Sequence, residues 1–152
     1  MTTSNTILDD AQRALLDATL NRIVPAQDEM PGAGDLGIAA FVESVAAGSA
    51  AKRRLFMEGL VQIELAAQER GGLFATLSET AQDDALKSVE ETNPAFFQEL
   101  VTQAYRGYYT DETVYSLLSY RAPNRADYDP LPLDESLLGP VRERGQIWTT
   151  AP

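Results

Sequence analysis

A chain of 152 residues with 44% apolar side chains suits one globular domain that buries roughly two thirds of its unfolded surface. Its formal charge of −11, from 12 bases and 23 acids, repels nucleic-acid phosphates and anionic membranes and disfavours both as partners. With no cysteine and no histidine, it excludes disulfides, thiolate nucleophiles, Cys/His zinc sites, covalent haem attachment and serine–histidine–acid triads.

Helical periodicity organises residues 1–119, which hold 18 of the acids and 8 of the bases. Apolar side chains at Leu8, Ala11, Leu15, Leu16, Leu20, Ile23 and Val24 mark the buried stripe of a first helix. Asp9 and Asp10 suit its positive end, and Pro25 stops it. AQDEMPGAGDLG reads as a loop turned by Pro31, Gly32 and Gly34, with Asp35 the expected cap of a second helix. Ile38, Phe41, Val42 and Val45 share a face of that helix, and Gly48 closes it. Ser49 is the expected cap of a third, longer helix that turns Leu55, Phe56, Leu60, Ile63 and Ala67 inward and ends at Gly71–Gly72.

LFATLS reads as a short connection whose Leu73, Phe74 and Leu77 enter the core. Ser78 starts a fourth helix with a stripe of Ala81, Ala85, Leu86 and Val89. Its acids Asp83, Asp84, Glu90 and Glu91 read as a solvated face rather than a metal site. Asn93–Pro94 sets a cap before a proline at the first helical position. The fifth helix that follows is expected to carry Phe96, Phe97, Leu100, Val101, Ala104 and Tyr105 inward. Asp111 restarts a short sixth helix with Val114, Leu117 and Leu118. No alternating segment of any length occurs, so the expected fold is all-α, a compact domain of about six helices over 1–119.

From Tyr120 onward the character changes. Five of the eight prolines fall in the last 32 residues, and Pro123, Pro130, Pro132 and Pro140 are expected to break any continuous helix. At most a turn or two is expected around Asp134–Leu138. Yet Leu131, Leu133, Leu137, Leu138, Val141, Ile147 and Trp148 make residues 120–152 too apolar to leave in water. Such a segment reads as an extended, proline-rich arm lying across its own surface or a partner's. The first 25 residues show no secretory or twin-arginine signal, and no stretch is apolar enough to span a bilayer. The chain is therefore expected in the cytoplasm, without membrane contact of its own.

All six tyrosines lie between residues 104 and 128. A catalytic phenol, with an unperturbed pKa near 10, needs a cationic neighbour or a cofactor. Arg106 and Arg121 could supply charge, but no second base, nucleotide loop or D-x-[DN]-x-[DN]-G metal loop accompanies them. Tyr105 and Tyr108 continue the spacing of the fifth helix and read as core residues with hydroxyls at an edge. For the remaining phenols an interface is at least as good a reading as a core, because tyrosine and arginine are enriched at protein contacts. The candidate partner interface comprises Tyr109, Tyr115, Tyr120, Arg121, Tyr128, Leu131, Leu133, Ile147 and Trp148.

LLDATLNRIVPAQDEMPGAGDLGIAAFVESV, LFATLSETAQDDAL and FFQELVTQAYRGYYTDETVYSLLSYRAP, in this order, resemble the small-subunit family of gluconate 2-dehydrogenase and related sugar dehydrogenases. LDESLLGPVRERGQIW looks like the end seen in one branch of that family. The resemblance implies a non-catalytic partner of a large glucose–methanol–choline type flavoprotein that holds FAD and oxidises a sugar or polyol. It also implies a possible third, haem-bearing subunit that accepts electrons. Many members carry a twin-arginine signal that exports the folded complex; with none here, export would rest on a signal in the catalytic partner. The absence of cysteine also removes an intersubunit disulfide.

The expected function is thus an accessory subunit that binds, stabilises and helps assemble an FAD-dependent dehydrogenase. This chain itself is expected to hold no catalytic, cofactor-binding or metal-binding residues. Two other classes stay open: a self-contained helical binding or oligomerisation module, and a small enzyme built on carboxylates and tyrosines.

Overall fold

The computed structural model describes residues 6–120 and 134–145. Helix α1 (Asp10–Ile23) starts where Asp9 Oδ1 accepts the Gln12 N–H at 2.8 Å and Gln12 Oε1 accepts the Asp9 N–H at 3.0 Å. This reciprocal cap satisfies two orphan donors and contributes about 1 kcal/mol. The helix ends at Val24, directly before Pro25. Leu15, Leu16, Thr19 and Leu20 form its buried face, whereas Ala11 is exposed.

The loop that follows is built on Asn21. Its Oδ1 accepts the N–H groups of Gly34 (2.8 Å) and Asp35 (3.3 Å), and its Nδ2 donates to Asp35 Oδ1 at 3.0 Å. The loop backbone lies so close to α1 that a Cβ on Gly34 would overlap the Asp17 carbonyl oxygen. Asp35 is therefore not the cap of α2 (Ile38–Ala47). That position belongs to Gly37, in the left-handed region at φ 73°, because Asp35 is already engaged by Asn21. Glu43 in α2 is a buried acid whose carboxylate accepts from the backbone of Ile7 (2.7 Å) and Leu8 (2.9 Å) and from Arg13. It holds the chain entering α1 against α2.

Helix α3 (Ala50–Gln68), capped by Ser49, lies beside α1, α2, α4 (Glu79–Thr92) and α5 (Pro94–Tyr108). Phe56, Leu60, Ile63 and Ala67 are buried on it, with Leu55 partly so. The Phe56 ring meets Phe96 of α5 edge to face at 5.7 Å. Between α3 and α4 a single 3-10 turn (Phe74–Thr76) buries Phe74, whose carbonyl accepts from Gln82 Nε2 at 2.8 Å. Leu73 corrects the expectation of a core residue. It precedes the turn in extended conformation and is 60% exposed, while the held carbonyl of Phe74 sets which neighbour faces inward.

Ser78 caps α4 and Asn93 caps α5, with Pro94 in its first turn. The acids of α4 are not all free in solvent: Arg22 of α1 binds both oxygens of Asp83 at 2.8 Å and reaches Glu79 at 3.1 Å. Phe96, Leu100, Gln103, Ala104, Gly107 and Tyr108 form the buried face of α5. Gly107 lets α5 approach α2, since a Cβ there would stand 2.6 Å from the Ile38 side chain. Helix α6 (Glu112–Leu117), capped by Asp111, buries only Val114. Among the described residues there is no strand, and no helix is long and apolar enough to cross a membrane.

The chain divides into two units, Met1–Tyr120 and Arg121–Pro152. In the second, a 3-10 turn (Glu135–Leu138) runs into α7 (Gly139–Arg144). Pro140 therefore does not break helical structure as expected. It occupies the first turn of a helix, where its missing N–H would have had no intrahelical partner.

Candidate functional site

Positions 105, 108 and 109 sit on adjacent faces at the C-terminal end of α5, and their environments diverge. Tyr108 points inward, and its hydroxyl donates to the Pro31 carbonyl at 2.9 Å. Burial, with the Tyr109 phenol beside it, pushes the Tyr108 phenol above its ordinary 10.0, so its proton is retained for that bond. Tyr109 is 50% exposed and Tyr105 is 43% exposed. Their rings stack at 6.0 Å and 8°, and Tyr109 also meets Tyr108 edge to face at 5.3 Å.

Tyr105 corrects the expectation of a core residue. Phe96, Leu100, Ala104 and Tyr108 form the buried row, whereas Phe97, Val101 and Tyr105 lie one residue further round the helix. That offset of about 100° carries the second row to the rim, and by its last turn it faces water.

The stacked rings line a groove of about 620 Å³. Leu117 and Leu118 extend the tyrosine wall, and the opposite wall is the chain from Ile23 to Met30. That second wall is a tight turn in which Gln27 and Met30 exchange backbone hydrogen bonds of 2.9 Å, with Asp28 at φ 52°. Leu118 is 51% exposed. A six-residue helix such as α6 has too few turns to bury more than one row, and Val114 takes that place.

Among the sequence-based candidates, Tyr109 lies in this groove. Tyr115 and Tyr120 form a separate pair with ring centres 5.3 Å apart, brought together by a left-handed turn at Ser119, φ 53°. Arg121, Tyr128, Leu131, Leu133, Ile147 and Trp148 lie outside the described residues. Tyr105, Leu117, Leu118 and the Ile23–Met30 turn line the groove without being sequence-based candidates. The legible signal for them was small: two adjacent apolar rows on α5, of which only one can face the core.

Some ionisable groups tie elements together. Lys52 and Gln103 both donate to Glu99, at 2.9 and 3.0 Å, and hold its carboxyl below the ordinary 4.5 against the opposing effect of burial. Among the described residues no three carboxylates gather in a metal-binding group. Chemically the groove offers aromatic faces, aliphatic surface and phenolic hydrogen bonds, the constituents of a protein contact.

No curated protein and no solved structure matches the chain significantly. A family model does, over residues 10–124, a span that runs from the first residue of α1 past the end of α6. On that match, the chain belongs to the gluconate 2-dehydrogenase subunit 3 family.

Proposed function

We infer that this chain is a non-catalytic small subunit that binds, stabilises and helps assemble an FAD-dependent glucose–methanol–choline type sugar or polyol dehydrogenase. FAD and catalysis belong to the large partner, and a further electron-transfer subunit completes some such complexes. What supports this, beyond family membership, is the exposed Tyr105–Tyr109 stack beside Leu117 and Leu118 on a chain of net charge −11. Tyrosines are enriched among the few residues that carry most of the energy of protein contacts. Tyr120, Arg121, Tyr128, Leu131, Leu133, Ile147 and Trp148 continue the contact along the arm, which wraps the partner. On this reading the complex forms in the cytoplasm.

Co-expression with a glucose–methanol–choline type flavoprotein of the same organism tests the assignment. Leu118→Glu is expected to leave the helical content unchanged and to reduce co-purification at least about tenfold. Truncation after Tyr120 is expected to abolish it. If both variants co-purify like the unaltered chain, the assignment fails. If the chain alone forms a dimer by light scattering and Leu118→Glu makes it monomeric, it is instead a self-contained oligomerisation module.

A further inference from the structure

A second groove, of about 450 Å³, runs between α1 and α3 beside the 3-10 turn. Its floor is Leu15 and Leu60, and Ala11 and Ala14 form a low wall on α1. The other rim is apolar and open to water: Leu73 is 60% exposed and Val61 of α3 is 53% exposed. Small side chains on one wall and large ones on the other suit an amphipathic segment laid into the groove. Neither residue row is needed by the fold, since the core of this chain already closes beneath it.

One polar atom selects the occupant. Glu64 Oε1 lines this groove, is shielded from solvent and has no hydrogen-bond partner among the described residues. A shielded carboxylate oxygen without a donor costs about 1–3 kcal/mol or more, a penalty removed when a donor arrives. The net charge of −11 further favours a cationic arrival over an anionic one.

Resting on the function inferred above, we propose that the α1–α3 groove is a second docking face. Its occupant is an apolar segment of the catalytic flavoprotein that carries a lysine or arginine seated against Glu64. The small subunit then grips its partner at two separate places, the tyrosine groove and this one.

The chain contains no cysteine, so single introduced thiols report each face separately. Val61→Cys and Leu118→Cys would be labelled with a maleimide in the free chain and in its complex with a glucose–methanol–choline type flavoprotein of the same organism. Both thiols are expected to react freely in the isolated chain and at least about tenfold more slowly in the complex. Glu64→Gln is expected to raise the Kd about tenfold, as loss of a charge-assisted hydrogen bond does. Protection of Leu118→Cys alone, with Glu64→Gln binding normally, overturns the second face and leaves the subunit assignment standing. If no complex forms, or neither thiol is protected in it, both are overturned. Protection of Val61→Cys in the isolated chain, together with a dimer by light scattering, shows that a second copy fills the groove and overturns the proposed occupant.

Discussion

The loop after α1 and the short helix after α5 flank the same groove, yet they direct their side chains oppositely. Past its exposed turn at 25–29 the loop turns inward: Ala33 is fully buried, Asn21 holds the backbone of Gly34 and Asp35, and Gly34 touches α1. Helix α6 turns outward, burying Val114 and leaving Leu117 and Leu118 in water. A segment whose groups are all satisfied internally is acting as framework. One whose apolar groups stay unsatisfied is available to a partner, and substitutions in the two should fail in different assays.

The largest effect is expected from Gly34→Ala, because the obstructing atom is backbone and cannot swing aside. Urea denaturation should show a loss of about 3 kcal/mol. An unchanged midpoint would mean that the loop is not framework. Next comes Tyr109→Ala, expected to weaken flavoprotein binding by about 2 kcal/mol while changing urea stability by under about 0.5 kcal/mol. Comparable losses in both assays would erase the distinction between the two regions.

The adjacent Tyr108→Phe should do the reverse. Losing the bond to the Pro31 carbonyl costs about 1 kcal/mol of stability, and direct contact with the partner is largely kept. The smallest effect concerns Glu99. Its folded carboxyl lies below the ordinary 4.5, so the folded state binds this proton less readily than the unfolded state does. Its contribution to stability is present above about pH 4.5 and is lost as pH falls through the folded value. Lys52→Gln should move the Glu99 titration upward, read by carboxyl NMR, and should cost only a few tenths of a kcal/mol because the pair is partly exposed.

The helix starts were the most legible part of this fold. Asp9, Ser49, Ser78, Asn93 and Asp111 each cap a helix, and a cap is local chemistry written within four residues of sequence. Asp35 has the same credentials and is not a cap, because Asn21, fourteen positions away, claims its carboxylate. Leu73 and Tyr105 failed for a related reason. Hydrophobicity shows that a residue can be buried, whereas the packing of neighbouring helices decides which of two adjacent rows is. The candidate site was legible as a region rich in tyrosine. Its actual membership depended on the turn opposite, from Ile23 to Met30, which nothing local connects with residue 109.

The bond from Tyr108 to Pro31 joins α5 to the end of the loop that forms the opposite wall. It acts as a tie across the groove and sets its width before anything enters. A partner therefore meets a slot that needs little ordering on contact, which keeps the entropic cost of docking low. With that tie in place, changes to the lining should alter how long a partner stays more than how quickly it arrives. Cutting the tie in Tyr108→Phe should slow arrival only slightly, a change small beside its loss of stability, because the slot would have to be shaped at each encounter.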